Sequence, residues 1–123
     1  MSSLSDLRIE LADTLSSLGV NTYTHLPGKA TPPSCIVMAG SPYVETGQTF
    51  GEHLVRLEAW VSTQKGDNES EAMSVDALTE QAITALMRDG WVIESVSQPF
   101  SFEINNGQFL TTAITVTTPV TLT

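Results

Sequence analysis

The chain is 123 residues long, a length that builds one domain with its own core and needs no disulfide staples. Hydrophobic residues make up 41%, which argues against wholesale disorder, and no apolar stretch approaches the roughly 20 residues of a membrane span. Fourteen acidic residues against five basic ones give a net charge of −9, and the five (Arg8, Lys29, Arg56, Lys65, Arg88) are scattered, so no basic stripe exists to track a phosphate backbone.

Ser3 to Leu18 reads as an amphipathic helix, because Leu4, Leu7, Leu11, Leu15 and Leu18 recur at steps of three and four. Asp6 and Glu10 suit its early turns and Gly19 a left-handed stop. Val20 to His25 is short and β-prone, Pro27-Gly28 and Pro32-Pro33 mark an ordered turn, and Ser34 to Ala39 has the length and apolarity of a strand. Gly40 to Gly51 reads as the longest irregular segment, with Gly40, Pro42, Gly47 and Gly51 as breakers. Its two aromatics, Tyr43 and Phe50, either dock onto the body or wait for a partner.

Glu52 to Thr63 alternates, with Val55, Leu57, Ala59 and Val61 on one face and Arg56, Glu58 and Trp60 on the other. Fully extended it spans roughly 40 Å, long enough to project beyond a small sheet as a hairpin arm. Glu69 to Asp89 is the second helix, capped by Asn68, with Val75, Leu78, Ala82, Ile83 and Leu86 as its apolar face and Gly90 as its end. Trp91 to Ser97 and Phe100 to Ile104 are strands, Trp91 plugging the edge of the core. Asn106-Gly107 is a hairpin signal leading into Gln108 to Thr118. In that last strand Leu110, Ile114 and Val116 share one face and Thr111, Ala113, Thr115 and Thr117 the other, while Pro119 to Thr123 is expected to fray.

Both helices are one-sided, so each covers a sheet face. The expected fold is a single α+β domain over 1–123: one mostly antiparallel sheet with two amphipathic helices packed on it. With both helices on the same face, the opposite face keeps Arg56, Glu58, Trp60 and several threonines. A surface neither charged nor greasy suits contact between subunits. Trp60 lies either beneath the first helix or in an interface.

A search for reactive chemistry finds none. His25 and His53 sit in no motif and read as surface or capping residues, and Gly-x-Ser-x-Gly is absent. One Cys and two His cannot supply a zinc site, and a helix N-terminus explains Asp67, Glu69 and Glu71 better than a calcium loop does. No glycine-rich phosphate loop is present. Cys35 lies in an apolar run and reads as a buried, inert thiol, in keeping with a reducing cytoplasm. Met1 to Leu7 shows no basic run followed by an apolar block, so no secretory signal is expected. The reading is a non-enzyme with no catalytic, cofactor or metal site.

A further pattern runs along the whole chain. The first helix ends in Leu18-Gly19-Val20, and Leu26-Pro27-Gly28-Lys29-Ala30-Thr31-Pro32-Pro33 leads to Cys35-Ile36-Val37. Gly40-Ser41-Pro42-Tyr43-Val44 precedes Thr49-Phe50-Gly51 and Val55-Arg56-Leu57-Glu58. Asp67-Asn68-Glu69 opens a helix containing Asp76-Ala77-Leu78, and the close is Val96-Ser97-Gln98-Pro99, Phe109-Leu110 and Ile114-Thr115-Val116-Thr117-Thr118-Pro119. Taken together these pieces resemble the tail terminator (tail completion) proteins of long-tailed bacteriophages of the siphophage type, especially those infecting actinobacteria.

The resemblance implies a structural virion protein at the tail–neck junction, assembled in the host cytoplasm. Its expected form is a hexameric ring that caps the tail tube, ends its polymerisation and joins it to the head. Implied partners are further copies of the chain, the tail-tube protein and the head or neck connector protein, with DNA passing through the lumen unbound and no membrane involved. No family residue transfers by position. The residues expected at an oligomer or partner interface, Pro42, Tyr43, Phe50, Arg56, Glu58 and Trp60, are read from this sequence alone. Acidic walls repel phosphates over roughly 8 to 10 Å at ordinary salt, so net −9 suits a DNA conduit as well as plain solubility. The competing readings are a neck connector or tail-tube subunit of the same virion, and a monomeric ligand-binding module.

Overall fold

The computed structural model describes residues 3–24, 33–46, 51–64, 68–104 and 107–121. In chain order the elements are α1 (Ser3–Ser16), β1 (Asn21–Tyr23), β2 (Ser34–Thr46), β3 (Glu52–Gln64), α2 (Asn68–Arg88), β4 (Val92–Val96), β5 (Phe100–Ile104) and β6 (Gly107–Thr121). The strands form one sheet in the order β1-β2-β3-β6-β4, with β5 also pairing β6. Among the described residues only β1 and β2 run parallel. This is the expected α+β architecture.

Both helices pack on the same sheet face, and the side-chain alternation of the central strands explains why. Val55, Leu57, Ala59 and Val61 of β3, Ile114 and Val116 of β6, and Cys35 and Val37 of β2 are fully buried in one cluster. Leu11 and Leu15 of α1 and Ala82 and Leu86 of α2 complete it, also fully buried. Each such Leu or Val contributes about 1.5–3 kcal/mol by leaving water. Leu4, Leu7 and Leu18 pack at the margin of the same cluster, so the leucine stripe faces the sheet along its length. Trp91 lies half-buried against it, closing the core edge as expected.

Both helices stop at glycine for a stated reason. Gly19 and Gly90 take φ of 77° and 88°, the left-handed region that a side chain disfavours. After α2 the Trp91 amide donates to the Leu86 carbonyl at 3.0 Å, satisfying a carbonyl the helix leaves free. α1 is shorter than expected, ending at Ser16, with Leu18 in the turn that follows.

Three expectations are corrected. Gly40 does not begin an irregular segment: β2 continues to Thr46, its register against β3 shifting between Ala39 and Val44, with a cis Ser41–Pro42 bond inside the shift. The breakers are absorbed as a bulge, and Tyr43 to Thr46 resume the ladder. Positions 47–50, including Phe50, lie outside the described residues, as do His25, the Pro27-Gly28 turn and Asn106.

Nor is β3 a projecting arm. It is the central strand, paired with β6 along its entire length and with β2 over most of it. Its length is used inside the sheet because β2 and β6 are as long.

Pro119 to Thr121 do not fray. They pair with Leu54 to Glu52, which extends β6 to Thr121. Proline is tolerated there because β4 covers only Ile114 to Thr117 of β6, so the missing N–H costs no ladder bond on that side.

Candidate functional site

The sheet face without helices carries the residues singled out from the sequence. Strand alternation puts Arg56, Glu58, Trp60 and Ser62 of β3 there, opposite Thr117, Thr115, Ala113 and Thr111 of β6. Ile36, Met38 and Gly40 of β2 oppose Trp60, Glu58 and, by continuation of the pairing, Arg56. The face divides into an aromatic half and an ionic half.

In the aromatic half Trp60 is the hub. Its ring meets the rings of Phe100 and Phe102 edge-on, with centroids 5.4 and 4.8 Å apart and interplanar angles of 85° and 88°. Ile36 and Phe109 are buried in this second cluster, with Met38 and Phe102 packed against them. The Trp60 indole Nε1 donates to Glu58 Oε1 at 2.8 Å, which leaves the polar tip satisfied. Ser62 and Thr111, facing each other across β3 and β6, are fully buried and share a 2.9 Å hydroxyl hydrogen bond. Trp60 is therefore not beneath α1. It belongs to a small second core on the outer face, and remains half-exposed there.

In the ionic half Arg56 is the hub. Its Nε donates to both carboxylate oxygens of Glu94, at 3.0 and 3.2 Å, and Nη2 donates to Oε2 at 2.8 Å. Its Nη1 donates to the Pro42 carbonyl at 3.0 Å and to the Glu45 carboxylate. The side chain is 11% exposed, while Glu45 and Glu94 are 42% and 45% exposed, so the cation lies under two carboxylates that still reach water. Hydrogen bonds to Glu94, then to Glu45, push the guanidinium above its ordinary value. Glu94 sits at the register shift of β4 and Pro42 at that of β2, so one side chain ties both irregular strands to β3.

The residues expected at an interface are thus only partly brought together. Arg56, Glu58 and Trp60 share the face, and Pro42 joins them through its carbonyl. Tyr43 turns to the helix side, where it packs on the main core with the Arg8 guanidinium 5.6 Å from its ring centre. Phe50 lies outside the described residues. Sequence reasoning missed Glu45, Glu94, Phe100, Phe102 and Phe109 as members of the face. The period-two pattern Phe100-x-Phe102 was a usable signal. Glu94 gave none, since its direction depends on the register shift in β4.

Chemically the face offers rings, methyls and hydroxyls beside one guanidinium and three carboxylates, Glu45, Glu58 and Glu94. Elsewhere, burial pushes the Cys35 thiol up from 9.0 to about 12, which holds it protonated and unreactive. Among the described residues, no group of three or more His, Cys, Asp or Glu could hold a metal ion, and no helix is long and apolar enough to cross a membrane. No protein-family model matches the chain and no curated protein matches it in sequence, so the likeness to tail terminators stands on the residues quoted above.

Proposed function

We propose that this chain is a structural subunit of a phage tail: a hexameric ring that caps the tail tube, ends its growth and meets the neck. The observation that carries the reading is the series of short sequence pieces, over nearly the full length, that resemble those of tail terminators. The helix-free face supports it, because that face is built from Trp60, Phe100, Phe102 and the threonines of β6 and suits contact with another protein. The tail-tube protein and the neck connector are the partners, and DNA crosses the ring without binding. The acidic balance of −9 keeps phosphates off the wall.

The test is absolute mass by light scattering after gel filtration, across a concentration series and then with purified tail tubes. A closed hexamer, or a hexamer that forms only on tube ends and stops their growth, is expected. A chain that stays monomeric in both conditions refutes the reading and favours a ligand-binding module. A chain that polymerises without end points to a tube subunit instead.

A further inference from the structure

Among the described residues, four large apolar side chains stand exposed: Ile9, Met87, Val92 and Val96, at 45%, 66%, 60% and 40%. Three of the four lie on β4 or in the helical turn just before it. That strand is also where the sheet ends. Among the described residues β4 pairs only with β6, so its other margin presents main-chain N–H and C=O groups to no strand.

Soluble proteins guard such margins with lysines, prolines or charges that repel a visiting strand. β4, Val92-Ile93-Glu94-Ser95-Val96, has no Lys and no Pro, and its one charge is drawn onto Arg56. Val92 and Val96 flank the bulge on this strand, and Met87 is exposed near the end of α2. At the opposite margin, among the described residues, β1 is the last strand and pairs with the first three residues of β2.

Resting on the ring reading, we infer that the β4 margin is a lateral contact that takes a strand from a second copy of this chain, added head to tail. Direction supports this occupant. β2 and β6 each run antiparallel to β3, and β4 runs antiparallel to β6, so β4 is antiparallel to β2 and, through it, to β1. A neighbour in the same orientation therefore brings its β1–β2 margin to β4 as an antiparallel ladder, the more stable kind. Charge supports it too. A chain of net −9 repels its copies, and β4 is a margin with its only carboxylate already paired. Head-to-tail pairing of these two margins is a contact between two different patches, the kind that closes rings.

The test is the double substitution Val92→Lys with Val96→Lys in the full chain, at positions exposed enough that circular dichroism and thermal midpoint stay those of the parent. Mass is followed by light scattering, alone and with purified tail tubes. In parallel, hydrogen exchange of the Val92–Val96 amides is compared between dilute and concentrated protein. Assembly of the parent, at least about tenfold weaker in the lysine variant, with β4 amides protected only in the assembled form, is the expected result. A lysine variant that assembles as the parent does overturns the β4 contact and leaves the ring reading standing. Open-ended assembly that the lysines abolish keeps the contact and removes the terminator, whereas a closed dimer that they abolish overturns the head-to-tail pairing. A parent that is monomeric under both conditions overturns both.

Discussion

Replacing Gly40 by alanine tests the packing of the ionic half of the outer face. A Cβ at position 40 meets Arg56 Cγ at 2.5 Å, the Arg56 carbonyl oxygen at 2.9 Å and its carbonyl carbon at 3.0 Å. Two of those atoms are main chain of the central strand, held by ladders on both sides. The third is near the root of a side chain whose far end is anchored by Glu94, Glu45 and Pro42. None can retreat cheaply. Elsewhere in a strand, exchanging glycine for alanine gains about 0.5–1 kcal/mol, chiefly from the unfolded state. Overpacking of this kind costs about 1–3 kcal/mol, more where backbone must move. The expected net loss is about 2 kcal/mol, a fall of about 8 °C in midpoint for a chain this long. Guanidinium denaturation followed by circular dichroism reads it. Repeating the substitution on an Arg56→Ala background removes the 2.5 Å clash and keeps the main-chain contacts, so the increment there falls to about half. A Gly40→Ala chain within about 0.5 kcal/mol of the parent, or an equal increment on both backgrounds, refutes the reasoning.

Leu57 is fully buried between both helices and the sheet, so Leu57→Ala costs about 3 kcal/mol, read as a shift in denaturation midpoint at unchanged slope. Ser62→Ala strands the buried Thr111 hydroxyl and costs about 1–2 kcal/mol, whereas Ser62→Ala with Thr111→Val costs less than the single change, as a double-mutant cycle shows. Cys35 stays protonated in the fold up to about 12 but ionises from 9.0 when unfolded. Its contribution to stability is therefore complete below pH 9 and declines between pH 9 and about 12 by up to about 1.4 kcal/mol per unit. Comparing denaturation at pH 7.5 and 10.5 in parent and Cys35→Ala checks this, and an equal loss in both chains counts against it.

Much of the fold was legible because it depends on local periodicity. The leucines of α1, the alternation of Val55 to Val61 and the glycines after each helix all mean the same thing in isolation as in the fold. Errors came where a residue's meaning depends on a strand elsewhere. Gly40 and Pro42 look like breakers until β3 is alongside to pair on both sides of the bulge. Pro119 looks like an end unless one knows that β4 stops short of it. The candidate face was half legible. The direction of Arg56, Glu58 and Trp60 follows from alternation, but the partners Glu45 and Glu94, 11 and 38 positions away, follow only from register. For Tyr43 the choice between docking on the body and meeting a partner stayed open for the same reason, since the shift in β2 decides which side of the sheet it takes.

The hydroxyl pair of Ser62 and Thr111 has a consequence for how the sheet finds its alignment. β3 and β6 are long strands whose central aliphatic residues alternate with other side chains, and a slip of two positions keeps every side chain on its proper face. Hydrophobic burial alone separates such registers poorly. A slip one way sets Ser62 opposite Ala113 and Thr111 opposite Gln64; the other way it sets Ser62 opposite Phe109 and Thr111 opposite Trp60. Either slip parts two hydroxyls that the observed register buries as a bonded pair, at about 1–3 kcal/mol for each one left buried and unsatisfied. A contact that adds little to net stability thereby removes the nearest mispaired sheets from competition.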